Sequence, residues 1–313
     1  MNNYVGIDLG TTNSVIASFD GKTTRIWKAP EQNDITPSAI YIDELGTKYI
    51  GISAYTMSLN DPDNSTLLFK RLMGTNTRIN FASSGVSRSP EECSAEILRT
   101  LFGYLPERIR DDKDVGTVVT VPAAFNQMQK SATMEAVNMA GIGKVALMQE
   151  PVAAVMSVMR VRNRDGIFLI YDLGGGTLDV AIAESTGGRV NLLGHGGIAI
   201  CGGRDFDRTV FDKIVCPWLM NRFSLPEEFA SDPAYKTLTR WTLAAVENAK
   251  IALSSVGETM ISLTDADLPK PISDCGGKEI YFEIPLTREV YNDLISDRIA
   301  SSVNIQIFYL YAL

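Results

Sequence analysis

Two short segments of the chain carry the same order of residue types, and both could hold phosphate and a metal ion. One is Tyr4-Val-Gly-Ile-Asp8-Leu-Gly10-Thr-Thr12, and the other is Phe168-Leu-Ile-Tyr-Asp172-Leu-Gly174-Gly-Gly-Thr177. The glycines let backbone N–H groups face an anion, and the threonine hydroxyls add donors. An aspartate at a strand end can hold a hard cation through water. One such turn is common in loops, but two matching copies predict a polyphosphate clamped between two lobes.

The elements around these segments predict an alternation of strands and helices, which is typical of an α/β sheet covered by helices. In the first half we expect strands at 4–9, 14–19, 25–27, 40–42, 48–50, 115–121 and 144–148. The run at 115–121 suits a buried strand with no polar face. We expect helices ending at 67–73 with Gly74 as C-cap, at 91–104, at 127–141 and from Pro151, with a loop at 75–90.

The second half repeats this pattern less regularly. We expect strands as far as residue 193, a glycine-rich turn at 194–203, and broken strands within 259–285. Helices are predicted at 205–223, at 235–254 and from Thr287, which would be the N-cap. The uncharged tail 305–313 is almost continuously apolar, so we expect it to be buried or to promote association.

Composition and charge exclude several function classes. The chain has 313 residues, enough for two or more domains, and a net charge of −8 with a pI near 4.9. This charge argues against binding to nucleic acid or to an anionic membrane. The four cysteines form no C-x-x-C pair, and His195 is the single histidine, so zinc has few ligands and His195 is expected to be structural. No leader or membrane span is recognisable, which predicts a soluble, cytoplasmic protein.

Six motifs occur in order along the chain. They are Gly6-Ile-Asp8-Leu-Gly-Thr-Thr12-Asn13-Ser14, Phe69-Lys70-Arg-Leu-Met-Gly74, Val119-Thr-Val-Pro122-Ala-Ala-Phe-Asn126, Glu150-Pro151-Val-Ala-Ala154, Asp172-Leu-Gly-Gly-Gly-Thr177-Leu-Asp179-Val180 and Gly202-Gly203-Arg-Asp-Phe-Asp207. Together they closely resemble the nucleotide-binding domain of the Hsp70 (DnaK-like) chaperones, within the actin, hexokinase and Hsp70 superfamily. The resemblance implies a two-lobed, actin-like α/β ATPase fold with duplicated mixed β-sheets flanked by helices, each lobe carrying a smaller inserted subdomain.

The same resemblance implies domain boundaries. The lobe I core would comprise 1–36 and 113–166, with an inserted subdomain at 37–112. The lobe II core would comprise 167–208 and 286–313, with an inserted subdomain at 209–285. The family domain continues past the last residue of this sequence, through a segment that completes the adenine pocket, so we expect an incomplete lobe II and weakened nucleotide binding. We also expect no peptide-binding domain in this chain.

Site residues follow from the matched motifs. The resemblance implies that ATP or ADP is held by Gly10, Thr11, Thr12, Asn13, Gly174, Gly175, Gly176, Gly202 and Gly203. Mg²⁺ and a monovalent cation such as K⁺ would lie near Asp8, Asp172 and Asp179. This assignment agrees with the residue types, because neutral donor loops bind phosphate while carboxylates recruit the metal that offsets its charge.

The implied catalytic residues are Lys70, Glu150, Asp172 and Thr177. Lys70 matches the lysine that reaches the γ-phosphate, where an ammonium stabilises charge developing in the transition state. Glu150 matches the glutamate that positions the attacking water or the metal shell. The alternatives left open are a solvated surface lysine and an acid placed at a helix N-terminus for the helix dipole.

Glu247, Lys250 and Ser254 match residues that contact ribose and adenine, and their spacing puts them on one helix face. Alone, such a pair is more often an exposed ion pair. Ile251 stands where many members place an arginine that stacks on the base, and Lys130 stands where the family usually has an arginine. Pro122 matches a proline at the interlobe switch.

The resulting hypothesis is an Hsp70-type ATPase domain that hydrolyses ATP to ADP and phosphate to drive a conformational switch. A J-domain co-chaperone and a nucleotide exchange factor are the implied partners. Two alternatives remain at this stage: a regulatory or decoy protein that binds nucleotide without turnover, and a kinase that passes phosphate to a small molecule. Lys70 and Glu150 argue against the kinase.

Overall fold

The computed structural model describes residues 3–162, 165–198 and 201–311, with backbone alone at 161–162 and 301–311. The strands are β1 (Tyr4–Asp8), β2 (Asn13–Phe19), β3 (Thr24–Trp27), β4 (Thr36–Pro37), β5 (Ala39–Ile42), β6 (Lys48–Ile50), β7 (Ser65–Leu67), β8 (Ile79–Asn80), β9 (Ser87–Arg88), β10 (Gly116–Val121), β11 (Val145–Gln149), β12 (Gly166–Leu173), β13 (Leu178–Thr186), β14 (Arg189–Ile198), β15 (Glu258–Leu263) and β16 (Phe282–Thr287).

The helices are α1 (Ile52–Asn60), α2 (Pro90–Gly103), α3 (Glu107–Arg110), α4 (Gln127–Ala140), α5 (Glu150–Arg162), α6 (Gly203–Val210), α7 (Cys216–Met220), α8 (Lys236–Leu253) and α9 (Arg288–Tyr311). Short 3₁₀ segments lie at Pro62–Asn64, Phe69–Leu72 and Pro233–Tyr235, and a π-helical turn at Phe211–Val215 joins α6 to α7. No helix in the described part of the chain has the length and apolar character needed to cross a membrane.

A mixed sheet positions the first Asp-Leu-Gly segment. Its order is β11-β10-β1-β2-β3, with β4 paired to β2. Strands β1, β10 and β11 run parallel, while β1, β2 and β3 form an antiparallel meander. Val5 and Ile7 are buried because alternate side chains of a strand share one face. Asp8 ends this central strand on its exposed face, so its carboxylate is presented from a rigid support.

A second sheet positions the other copy in the same way. Strands β12, β13 and β14 form an antiparallel meander like that of β1, β2 and β3. Asp8 pairs with Val15 across the first meander, and Asp172 pairs with Asp179 at the same offset across the second. The predicted fold class, an α/β protein with two matching lobes, is confirmed. Among the described strands, the parallel members belong to the first sheet.

Separate apolar cores support the two halves. One packs the buried faces of β1, β2 and β10 against α2 and α4 through residues such as Ile7, Ile97 and Val137. Another packs α8 against β15 and β16 through residues such as Val246 and Ile284. The boundaries proposed for the subdomains stay a prediction.

The helical segment predicted to end at 67–73 is confirmed only as far as α1, which ends at Asn60. Its predicted end is wrong, because strand β7 lies there and pairs with β5, and the 3₁₀ turn Phe69–Leu72 follows. Leu68, between them, has a left-handed backbone with φ of 61°, which a right-handed helix cannot pass through. Pairing at a sheet edge therefore overrides the apolar helical pattern. The predicted loop at 75–90 likewise contains the small hairpin of β8 and β9.

Other local predictions need correction. Strand β10 was predicted to have no polar face, but the hydroxyl of Thr120 on this strand donates a hydrogen bond to the Asp8 carboxylate. The predicted turn at 194–203 is strand β14 as far as Ile198, and residues 199–200 lie outside the described part. The predicted helix 205–223 is interrupted, because Pro217 lacks an N–H and the chain widens into the π turn before it.

The predicted N-cap at Thr287 is confirmed, since its Oγ1 accepts a hydrogen bond from the N–H of Val290 at 3.2 Å. Helices were also predicted correctly at α2, α4 and α8, where polar and apolar residues alternate with helical spacing. The prediction of a buried or associating tail concerns side chains at 305–313, which lie outside the described part of the chain.

Candidate functional site

A cavity of about 230 Å³ lies where the two Asp-Leu-Gly segments meet. It brings together every residue predicted to be catalytic or metal-binding and most of those predicted to bind phosphate. Its lining comprises Asp8, Gly10, Thr11, Thr12, Asn13, Lys70, Pro122, Glu150, Asp172, Gly174, Gly175, Gly176, Thr177 and Asp179. Residues that are far apart in the sequence therefore share one polar pocket.

The first loop is held by a small hydroxyl network. Ser14 Oγ accepts a hydrogen bond from the N–H of Gly10 at 3.1 Å, and Ser38 Oγ donates to the Gly10 carbonyl at 2.7 Å. A Cβ on Gly10 would overlap the carbonyl oxygen of Asn13, so only glycine fits this turn. The Thr12 hydroxyl is buried and has no protein hydrogen-bond partner. A buried donor without a partner fits a site that is completed by a bound anion.

The second loop is braced from behind by the predicted glycine pair. The N–H of Gly203 donates to the Gly174 carbonyl at 3.0 Å, and the N–H of Arg204 donates to the Gly175 carbonyl at 2.9 Å. A Cβ on Gly202 would stand 2.5 Å from the backbone nitrogen of Gly176. Gly202 and Gly203 therefore support the phosphate loop and do not line the cavity, which differs from the direct contact that we expected.

The two loops also touch each other. A Cβ on Gly175 would overlap the Thr12 hydroxyl, so the loops can approach this closely only with glycine there. Arg71 Nη2 donates to the Gly176 carbonyl at 2.7 Å. Sequence reasoning missed this role of Arg71, although it lies next to Lys70 in a motif that was already singled out.

A buried ion pair crosses the cavity. Lys70 Nζ lies 3.0 Å from Glu150 Oε1, and the two side chains are 6% and 18% exposed. The ammonium also stands 5.6 Å from the centre of the Phe125 ring. Lys70 comes from the 3₁₀ turn after β7, and Glu150 begins α5 directly after β11. Because Lys70 is almost fully buried, it is not the solvated surface lysine left open by the sequence. Glu150 does lie at the N-terminus of α5, as the other alternative has it, and it also pairs with Lys70.

Carboxylates surround this ammonium, and burial is the largest influence on the pKa values of Glu150, Asp172 and Asp179. Desolvation raises the pKa of Glu150, and the negative charges of Asp8 and Asp172 add to the rise while Lys70 opposes it. The pKa of Asp172 is raised by burial and then by Asp179 and Asp8. Burial likewise raises the pKa of Asp179, against a hydrogen bond from Thr177. Concentrated negative charge of this kind is what a bound cation relieves.

In the described part of the chain, no three His, Cys, Asp or Glu side chains are grouped closely enough to hold a metal ion alone. This arrangement fits Mg²⁺, which keeps several waters and usually takes one or two carboxylates together with substrate phosphates. Asp8 is oriented by a hydrogen bond of 2.7 Å from Thr120 Oγ1. The aspartates would therefore hold the ion through water.

The residues predicted to contact the nucleoside lie outside this cavity. Glu247 accepts a hydrogen bond from the Tyr55 hydroxyl at 2.8 Å. Lys250 Nζ lies 2.8 Å from the Asp207 carboxylate and donates to the Gly203 carbonyl at 3.1 Å. Lys250 therefore supports the backbone behind the phosphate loop. Sequence reasoning did not assign Asp207, although it ends the last of the six motifs.

Two further predictions concern the end of the same helix. Ser254 Oγ donates to the Ile251 carbonyl at 2.7 Å, which is a local bond at the helix end, and Ile251 is 60% exposed. The structure thus brings together the residues predicted to bind phosphate and metal, and it leaves Glu247, Lys250 and Ser254 outside their cavity.

Comparison with known proteins gives the family. The sequence model of the family described as "Hsp70 protein" matches residues 4–306. The chain is 35% identical to a chaperone protein HscA homolog of Herminiimonas arsenicoxydans over 82% of its own length and 42% of that protein. It is 33% identical to the stromal 70 kDa heat shock-related protein of Pisum sativum chloroplasts, over 94% of the chain and 43% of that protein. It is 32% identical to the chaperone protein dnaK of Trieres chinensis, over 96% of the chain and 50% of that protein. The chain thus spans half or less of the length of these relatives.

Proposed function

The chain belongs to the Hsp70 family, and from that premise we propose that it binds Mg-ATP in the cavity between the two glycine loops and hydrolyses it to ADP and phosphate. The buried pair of Lys70 and Glu150, placed at the junction of two phosphate-type loops, carries this proposal. Lys70 is almost fully buried beside three aspartates. If a polyphosphate entered the cavity, the ammonium would face the phosphate group that is transferred.

The loops would bind the phosphates through backbone N–H groups and the hydroxyls of Thr11, Thr12 and Thr177. Lys70 would present its ammonium to the γ-phosphate and stabilise the charge that develops there. Mg²⁺, held through water by Asp8, Asp172 and Asp179, would offset the phosphate charge, and K⁺ is the monovalent cation proposed for the same cluster.

Glu150 would orient the attacking water and take up its proton. A raised pKa makes this carboxylate a stronger base than an ordinary glutamate. Its contact with Lys70 fixes the side chain toward the cavity. Removal of either partner would leave the other charge buried without compensation, so the two residues should behave as a unit.

In a complete family member, turnover would drive a chaperone switch, with a J-domain co-chaperone that stimulates hydrolysis and an exchange factor that releases ADP. We propose these partners for this chain from its family alone, and a cytoplasmic location also stays a prediction. A second candidate function is nucleotide binding without turnover. It is favoured by the protein contacts that already occupy Glu247 and Lys250, two residues expected to hold the nucleoside.

Calorimetry with Mg-ATP, followed by single-turnover phosphate release, separates these functions. We expect binding together with slow release, and we expect Lys70→Ala to reduce the release rate by about 10²-fold or more. Lys144→Ala is the matched control, because Lys144 makes an exposed ion pair with Asp114 and should leave release unchanged.

Binding without release, insensitive to Lys70→Ala, would establish the second candidate. The absence of binding at millimolar Mg-ATP would overturn both. ATP consumption that requires an added sugar or organic acid would instead identify a kinase.

A further inference from the structure

A second cavity, of about 360 Å³, lies away from the phosphate loops between α1, α6 and α8. Its wall is partly apolar, with Leu59 and Leu243, and partly basic, with Arg204 and Arg240. It shares no lining residue with the phosphate cavity. Its volume falls in the range of roughly 300–1,000 Å³ that is usual for small-molecule sites.

Most charged groups around this cavity already have a partner. Lys236 pairs with Asp63, and Arg208 pairs with Asp212 at 2.8 Å. These two cations are therefore neutralised by neighbouring carboxylates.

The acids in the wall are engaged as well. Asp207 is paired with Lys250, and Glu247 accepts the Tyr55 hydroxyl. The charge of Arg204 reaches Asp207 and lowers its pKa, but within the described residues no arginine lies at ion-pairing distance from either carboxylate.

Arg204 and Arg240 are the exceptions. Within the described residues, neither guanidinium has a carboxylate at ion-pairing distance, and the buried Nε of Arg204 has no hydrogen-bond partner. Burial lowers the pKa of Arg240, and the nearby charge of Arg204 lowers it further. Arginine nevertheless stays protonated in proteins. Two like charges are thus held together in a partly dry pocket, which is costly unless a counter-charge enters.

We propose that this cavity binds a small organic anion, with its oxyanion held between Arg204 and Arg240 and its apolar part against Leu59 and Leu243. A guanidinium presents N–H donors in a planar fork that matches a carboxylate or a phosphate. The mixed wall selects for a molecule with one charged end and one apolar end. No residue lines both this cavity and the phosphate cavity, although the N–H of Arg204 donates to the Gly175 carbonyl, so the two sites are neighbours and the proposal does not depend on nucleotide turnover.

The test uses the nucleotide-free protein with benzoate and phenyl phosphate as probes and benzyl alcohol as the neutral control. Calorimetry should show binding of at least one anion and none of benzyl alcohol. Preference for benzoate or for phenyl phosphate tells whether the natural head group is a carboxylate or a phosphate. Arg204→Met and Arg240→Met should each weaken binding by about tenfold or more, the loss of one charge-assisted hydrogen bond.

Two controls locate the site. Arg208→Met alters a paired cation of the same wall and should change the affinity by less than about threefold. Lys70→Met alters the phosphate cavity and should leave benzoate affinity unchanged, so failure of the nucleotide function and failure of this proposal are distinguishable.

Thermal melting gives a second readout. Benzoate should raise the melting temperature of the unaltered protein and should raise it much less in the Arg204→Met or Arg240→Met variant. If Arg240→Met does not fold, Arg204→Met carries the test. Anion binding that survives both substitutions, no binding at millimolar concentrations of either probe, or displacement of benzoate by adenosine would overturn the proposal. Displacement by adenosine would assign the cavity to the nucleoside.

Discussion

Lys70 controls the charge state of the acids around it, because its ammonium lowers the pKa of Glu150, Asp172 and Asp179 while burial raises all three. We therefore expect Lys70→Met to raise the pKa of Glu150 still further. Carbon-13 NMR titration of the carboxyl groups, with Glu150→Gln to assign the signal, measures the change. Lys48→Met is the control, since Lys48 pairs with Glu96 elsewhere. An unchanged Glu150 pKa would show that the ion pair does not persist in solution.

Asp207 links stability to pH. Burial raises its pKa from 3.8 to about 6, even though Lys250 lowers it. The pKa of Asp207 is therefore higher in the folded state than in the unfolded state. The contribution of this carboxyl group to folding stability is fully present below pH 3.8 and is lost as the pH rises to about 6. Two pKa units correspond to about 3 kcal/mol. Denaturant unfolding from pH 3.5 to 7 should show the advantage of the unaltered protein over Asp207→Asn falling by about that amount. A constant difference would contradict the shifted pKa.

At the scale of elements, the sequence predicts helices and strands best where the local residue pattern and the tertiary packing favour the same structure. Helices α2 and α4 have a Ser or Asn N-cap and helical spacing, and both were predicted. The segment at 67–73 was predicted wrongly because its strand exists only by pairing with β5. Local motifs identified the residues that line the shared cavity, and their phosphate-binding and metal-binding roles stay a prediction. The support that Gly202 and Lys250 give to the loop at 174–176 was not predicted, since it depends on how separate loops pack.

The contact between the loop at 174–176 and the start of α6 can be tested by adding one methyl group to the residue that precedes this helix. Gly202→Ala would press a Cβ against the backbone of Gly175 and Gly176, which cannot move aside as a flexible side chain would. We expect a loss of about 1–3 kcal/mol in the free energy of unfolding and weaker Mg-ATP binding. Gly143→Ala is the matched control, because a Cβ there meets no atom within 4 Å. Equal behaviour of the two variants in denaturant unfolding would show that the loop tolerates the displacement.

At the scale of the whole molecule, the two halves contact each other in two places. Near the cavity lined by the two glycine loops, Arg71 of the 3₁₀ turn Phe69–Leu72 donates to the Gly176 carbonyl. Farther out, α1 and the turn after it contact α8 through Tyr55 with Glu247, Asn60 with Trp241 and Asp63 with Lys236. Partners such as Tyr55 and Glu247 are separated by 192 positions, so no local pattern could predict them. We therefore expect these outer contacts to slow the release of a ligand bound between the halves.

Tyr55→Phe isolates one of these outer contacts. The substitution removes the hydroxyl that donates to Glu247 at 2.8 Å and keeps the ring. The lost hydrogen bond is worth about 0.5–1.5 kcal/mol, so a fluorescent ADP analogue should dissociate roughly threefold to tenfold faster in stopped-flow measurements. Tyr49→Phe is the control, because Tyr49 lies on β6 and its ring packs 5.9 Å from that of Tyr41 within the first half. Unchanged dissociation in Tyr55→Phe, together with unchanged stability, would mean that closure of the halves does not limit release and that the loop contact alone retains the nucleotide.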